Sequence, residues 1–75
     1  MVTKKEARNI AREAISQSKQ FGGGSAYFRE ARDIVCDILE ARHIRYSHAR
    51  LTMDDYYQKT IGRLSDNIIY ACSGL

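Results

Sequence analysis

The fold is decided at the amino-terminal stretch of residues 2–15, which reads VTKKEARNIAREAI. Thr3 is followed three residues later by Glu6, the spacing of a capping box, in which each side chain accepts a hydrogen bond from the other residue's backbone N–H. Val2 and Ala7 occupy the positions of a hydrophobic staple around this box. The sequence therefore predicts that a helix begins directly after Thr3.

Small and apolar side chains recur along this first helix with the 3.6-residue period of an amphipathic helix. They are Ala7, Ile10, Ala11, Ala14, Ile15 and Ser18. Gly22 follows as a residue that readily adopts the left-handed conformation which ends helices. We therefore predict helix 1 over residues 4–20.

A second helix is expected after the glycine-rich stretch 22–25, which reads GGGS and has the length of a turn between helices. Ser25 is a suitable N-cap for it. Its apolar arc is wide and includes Tyr27, Phe28, Ala31, Ile34, Val35, Ile38 and Leu39. We predict helix 2 over residues 26–43 and expect it to be central, because a wide apolar arc packs on two sides.

The start of a third helix repeats the pattern of the first. Thr52 and Asp55 have the capping-box spacing, and Leu51 and Tyr56 take the staple positions. The inward stripe then consists of Met53, Tyr57, Ile61, Leu64, Ile68 and Cys72. This pattern predicts helix 3 over residues 53–72.

The three helices and short connections predict an all-α fold, a small antiparallel three-helix bundle in a single domain over residues 1–75. No segment alternates with the period of two that a half-buried strand requires. A chain of this length buries only about 60% of its unfolded surface. We therefore expect self-association or a bound partner to add stability.

Composition excludes several classes of protein. No run of roughly 18 apolar residues is present, so no membrane contact is expected. Residues 1–10 lack the apolar core of a secretory signal. Cys36 and Cys72 lie within apolar helical stretches, which is typical of buried free thiols in a reducing compartment. The expected location is therefore cytoplasmic.

The formal net charge of +3 is concentrated in helix 1 and in the connection at residues 42–50, which reads RHIRYSHAR. Lysine and arginine bind phosphate, and tyrosine stacks on bases. The candidate nucleic-acid- or phosphate-binding residues are Lys5, Arg8, Arg12, Arg42, Arg45, Tyr46, His48 and Arg50. The alternative interpretations are a solvated helix face and a polar elbow whose arginines pair with nearby carboxylates.

Helix 3 carries a candidate protein interface. A glycine in a helix interior costs about 1 kcal/mol relative to alanine, and close approach of another helix is one reason to keep it. Exposed tyrosine and arginine are enriched at interfaces. The candidate residues are Tyr56, Gly62, Arg63, Ser65, Ile69 and Tyr70. The alternative is a tolerated glycine with scattered surface tyrosines.

No pattern of residues indicates catalysis, a metal or a cofactor. Cys36, His43, His48 and Cys72 lack the spacing of a zinc finger. The glycine run lacks the Gly-Lys-Ser/Thr ending of a phosphate-binding loop. Asp33 and Asp37 are interpreted as outward residues offset by Arg29 and Arg32. We therefore expect no catalytic residues.

These features favour a non-enzymatic helical interaction protein that acts stoichiometrically as an adaptor or inhibitor of a protein partner. Small accessory regulators encoded by mobile elements or phages are proteins of this kind. A homo-oligomer fits the same features. The alternative function is binding of a nucleic acid or an anionic nucleotide through the helix 1 face and the elbow at residues 42–50.

Overall fold

The computed structural model describes residues 2–21, 30–51 and 60–74. These residues form α1 (Lys4–Phe21), α2 (Ala31–Ala41) and α3 (Ile61–Cys72), with a 3₁₀ turn at His48–Arg50 between α2 and α3. The described residues contain no strand, and the predicted all-α three-helix fold is confirmed. Among them, no helix is both long enough and apolar enough to cross a bilayer.

The start of α1 is the predicted capping box. The Glu6 N–H donates to Thr3 Oγ1 at 3.1 Å, and the Thr3 N–H reaches Glu6 Oε1 at 3.5 Å. Val2 and Ala7, the two staple positions, are both buried. The observed helix therefore begins at the predicted residue and ends one residue beyond the prediction.

The predicted start of helix 2 at residue 26 is wrong for a continuous helix, because Glu30 is extended, with φ −68° and ψ 146°. The helix begins at Ala31, and the Asp33 N–H donates to the Glu30 carbonyl at 3.0 Å. Apolar spacing marks the buried face of a helix but not its first hydrogen-bonded turn. The predicted glycine turn and the Ser25 cap lie outside the described residues.

The end of α2 comes two residues before the predicted position. His43 has a φ of 57°, in the left-handed region. Its N–H donates to the Glu40 carbonyl at 3.1 Å, and the Ile44 N–H donates to the Leu39 carbonyl at 2.9 Å. These two bonds form a Schellman motif, in which glycine is the usual left-handed residue. The histidine at this position conceals the helix end in the sequence.

The prediction of one continuous helix over residues 53–72 is wrong, and its part before residue 60 lies outside the described residues. Thr60 is extended, with φ −110° and ψ 117°, so a continuous helix begins only at Ile61. The break falls where helix propensity is weak, since Thr60 is β-branched and Gly62 lacks a side chain. The second capping box, Thr52 with Asp55, lies outside the described residues.

Helix α1 is the central element of the described structure, because it packs against both α2 and α3. Among the described elements the central position therefore belongs to α1 and not, as predicted, to helix 2. Ala7, Ala11 and Ala14 are fully buried on α1, and their small side chains let neighbouring helices approach closely. Among the described residues, the largest fully buried side chains are Ile10, Ile34, Val35, Leu39, Leu64 and Ile68.

Candidate binding surfaces

The 3₁₀ turn places Arg50 against the carboxyl-terminal end of α3. Nη1 of Arg50 donates to the Ser73 carbonyl at 2.7 Å and to the Tyr70 carbonyl at 3.4 Å. These carbonyls lie at the negative end of the helix dipole, which favours a cation. The Arg50 carbonyl in turn accepts a bond of 2.9 Å from Asn67 Nδ2. Arg50 therefore closes α3 and joins it to the connection.

The same guanidinium lies over the ring of Tyr70, with Arg50 Cζ 5.0 Å from the ring centroid. This distance is within the range of a cation–π interaction. Tyr70 remains 57% exposed. The Arg50 guanidinium is bonded to the Ser73 carbonyl and also covers the Tyr70 ring. Tyr70 is therefore an exposed aromatic side chain beside a cation whose position is set by a hydrogen bond. Arg50 and Tyr70 were predicted to belong to two separate candidate surfaces, and the structure brings them into contact.

The rest of the predicted helix 3 interface is divided between surface and interior. Arg63 and Gly62 are exposed. Ser65 is buried, and its hydroxyl donates to the Gly62 carbonyl at 2.9 Å. Ile69 is half-buried and packs against the core. The exposed patch is therefore smaller than the sequence suggested, and Tyr56 lies outside the described residues.

Gly62 does not mark a close contact within the described part of the chain. A β-carbon added there would meet nothing within 4 Å. Gly62 is the second residue of α3 rather than an interior residue, because the helix begins at Ile61. The penalty for an interior glycine, from which close approach was inferred, therefore does not apply in full.

The basic residues of the elbow do not lie on one face. Arg42, Tyr46 and Arg50 would align only on a longer helix 2, and α2 ends at Ala41. Arg42 pairs with Glu13 of α1 at 3.5 Å, and both side chains are about half exposed, so the pair contributes little.

Arg45 is exposed and has no ion pair with the described residues. Tyr46 is half-buried against the core. Burial, the Cys36 thiol and the Glu40 carboxylate raise the pKa of Tyr46. Within the elbow, Arg45 thus faces solvent, whereas Tyr46 is held against the protein.

His48 is held by Arg32, a buried arginine that was predicted only to offset the charges of Asp33 and Asp37. Nη2 of Arg32 lies 3.0 Å from His48 Nδ1 and 3.4 Å from the His48 carbonyl. Nε of Arg32 donates to the Leu51 carbonyl at 3.3 Å. Arg32 lies in the same helical stripe as Cys36 and Leu39, and this spacing was the signal that could have identified it.

The predicted basic face of helix 1 lies on the surface. Lys5, Arg8 and Arg12 are all exposed, and none has an ion pair with the described residues. Nη1 of Arg12 is 3.3 Å from Asn9 Oδ1, a bond within the same face. This face therefore presents three uncompensated positive charges on one side of α1.

The described residues bring together no group of three or more histidine, cysteine, aspartate or glutamate side chains able to hold a metal ion. Cys36 and Cys72 are both buried and free. Comparison of the chain with protein-family models, with curated proteins and with solved structures found no match.

Proposed function

We propose that this protein is a non-enzymatic binding protein that acts stoichiometrically, as an adaptor or inhibitor, on a protein partner. The contact is centred on Tyr70, with Arg50 over its ring and Arg63 two turns earlier on the same side of α3. One observation carries the proposal: Tyr70 is 57% exposed although Arg50 lies over its ring.

The chemistry of this face suits a protein interface. Tyrosine and arginine are the residue types most enriched among the few side chains that dominate binding energy. A side chain ordered before binding loses less conformational freedom when the partner arrives. The bond from Arg50 to the Ser73 carbonyl supplies that order at Tyr70. Tyr70 therefore combines a large contact area with a small entropic cost.

Two further observations support a partner and a cytoplasmic setting. The buried core consists of small and aliphatic side chains without a buried large aromatic among the described residues, so added burial at an interface would stabilise it. Cys36 and Cys72 are free and buried, as expected in a reducing compartment. A second copy of the chain is one partner that meets these requirements.

Quantitative affinity capture with the tagged protein in a lysate of its source cells tests this function. We expect one partner to be retained in a fixed molar ratio by the wild type. Tyr70→Ala should weaken capture by about tenfold or more, the loss of a binding hot spot. Retention of the same partner at full level by Tyr70→Ala would contradict the proposal.

Ile61→Ala is the matched control for this capture. Ile61 is the other exposed large apolar side chain among the described residues, at 36% exposure. Nine residues correspond to about two and a half helical turns, so Ile61 and Tyr70 lie on opposite sides of α3. Capture by Ile61→Ala should equal that of the wild type, and an equal loss in both variants would mean that the Tyr70 face is not the contact.

Nucleic-acid or nucleotide binding is the second candidate function, and the exposed α1 face favours it. Lys5 and Arg12 are separated by about 10 Å along the helix axis, with Arg8 between them. Such a row of cations can follow a phosphate backbone and release counterions. Arg45 is the one elbow cation that is exposed and has no ion pair with the described residues.

Fluorescence anisotropy of labelled duplex DNA across a salt series tests this second function. Binding should weaken steeply with salt, and the slope should fall by about 0.9 for each phosphate contact removed. Lys5→Glu, Arg8→Glu and Arg12→Glu combined should abolish binding. The absence of binding at low salt, or no effect of the triple variant, would exclude duplex binding through this face of α1.

A further inference from the structure

A cavity of about 390 Å³ opens where three parts of the fold meet. Its lining residues come from the start of α1, the end of α2 and the end of α3, namely Val2, Glu6, His43, Ile44, Arg45, Cys72 and Gly74. This volume falls in the range of small-molecule sites. Tyr70, Arg50 and Arg63 are not among its lining residues, although Gly74 lies beside the Arg50 guanidinium.

One part of the lining is apolar. Val2 and Cys72 are each only 7% exposed, and Ile44 is half-buried against the core. Burial raises the pKa of the Cys72 thiol, which keeps this group protonated and neutral. The cavity therefore offers an uncharged surface for an aliphatic group.

Opposite charges lie on different elements around this apolar part. The two hydrogen bonds that the Glu6 carboxylate accepts from Thr3 both use Oε1, which leaves Oε2 for another donor. Arg45 has no hydrogen bond or ion pair with the described residues, and in particular does not pair with Glu6. The cavity thus presents an unmatched acceptor and an unmatched donor.

His43 adds a second nitrogen-bearing side chain on the Arg45 side. Its φ of 57° is disfavoured for a residue with a β-carbon. The Schellman bonds that require this φ would be made equally by glycine. Strained conformations of this kind are concentrated at ligand sites, and here the strained residue lines the cavity.

We propose that this cavity binds a small zwitterion, an α-amino acid with an apolar side chain. Arg45 and His43 hold the ligand carboxylate, with the planar guanidinium suited to a two-bond contact. Glu6 accepts from the ligand ammonium. An anion without the ammonium would be repelled by Glu6, and a cation without the carboxylate would be repelled by Arg45. The aliphatic group lies on Val2, Ile44 and Cys72.

Amide NMR titration of the intact chain tests this site, with L-leucine as the probe. Isocaproate, which lacks the ammonium, and isoamylamine, which lacks the carboxylate, are the matched ligands. We expect saturable shifts at residues 43–45 and 72–74 with leucine. The affinity for each analogue should be lower by a factor of about ten or more. Equal affinity for leucine and isocaproate, or no saturable shift with leucine, would overturn the proposal.

Two substitutions separate ligand contacts from folding. Glu6→Gln removes the charge but keeps a capping-box acceptor, because glutamine also serves at this position. It should lower the affinity for leucine about tenfold, and the affinity for isocaproate should not fall. Arg45→Ala should weaken both carboxylate ligands, whereas Arg12→Ala, on an exposed arginine outside the cavity, should change neither. Unchanged leucine affinity in Glu6→Gln and Arg45→Ala would overturn the assignment.

Discussion

The guanidinium of Arg50 donates to the Ser73 carbonyl at 2.7 Å, and its Cζ lies 5.0 Å from the ring centroid of Tyr70. One side chain therefore both closes the carboxyl-terminal end of α3 and covers an exposed aromatic ring. This relationship connects the stability of α3 to the surface for which we propose partner binding.

A double-mutant cycle measures this relationship. Arg50→Met should lower the free energy of unfolding by about 1–2 kcal/mol, because two carbonyls lose a charged donor in a partly exposed site. Tyr70→Leu should remove only the ring interaction. The coupling energy between the two changes should be about 0.5–1 kcal/mol, measured by denaturant unfolding followed by circular dichroism. Strict additivity would show that the ring and the guanidinium do not interact.

Arg32→Met should be the more damaging arginine substitution. It leaves the Leu51 and His48 carbonyls without the donor that reaches them at 3.3 and 3.4 Å. We expect a loss of about 2–3 kcal/mol in the free energy of unfolding, since buried acceptors lose a charged donor. Arg45→Met is the matched control on an exposed arginine and should stay within about 0.5 kcal/mol. Similar values for the two variants would contradict the structural role of Arg32.

His43→Gly should stabilise the fold. Glycine adopts the left-handed conformation without strain, and the free energy recovered in this way exceeds the cost of a more flexible unfolded chain. The free energy of unfolding should therefore rise by about 0.5–1 kcal/mol. Ala41→Gly, two residues earlier at the last helical position, should instead cost up to about 1 kcal/mol. Thermal and denaturant unfolding of the two variants would show opposite signs, and a loss at both positions would argue against the Schellman end at His43.

Tyr46 predicts a pH dependence of stability at alkaline pH. The pKa of Tyr46 is raised in the folded protein by burial and by its neighbours Cys36 and Glu40. The unfolded chain therefore releases the Tyr46 proton first, at about pH 10. The stability linked to this proton is fully present below that pH and is lost as the pH rises above it.

Tyr46→Phe isolates this contribution. The free energy of unfolding of the wild type should fall relative to Tyr46→Phe once the pH passes about 10, while the difference between them stays constant near neutrality. Denaturant unfolding at a series of pH values gives both curves. Parallel curves across the alkaline range would show that Tyr46 is not perturbed.

Features that depend on residues close together in the sequence were predictable from it. The Thr3–Glu6 box lies within four residues, and its geometry follows from that spacing. The end of α2 was missed because His43 takes the position where glycine is the usual signal. The exposed positions of Lys5, Arg8 and Arg12 followed from the helical period.

Features that depend on the packing of distant segments were not predictable in this way. Arg50 and Tyr70 are separated by 20 residues, and only the docking of the 3₁₀ turn on α3 brings them together. The cavity requires the ends of all three helices at once. Arg32 is an intermediate case, because its place in the buried stripe was visible while its charge indicated solvent.

Native mass spectrometry of the tagged chain purified with its captured partner tests partner binding through Tyr70 most directly. We predict a complex of fixed stoichiometry for the wild type and for Ile61→Ala, and the free chain alone for Tyr70→Ala. A wild-type chain that carries no protein partner and no second copy of itself, or an intact complex with Tyr70→Ala, would contradict the proposed function.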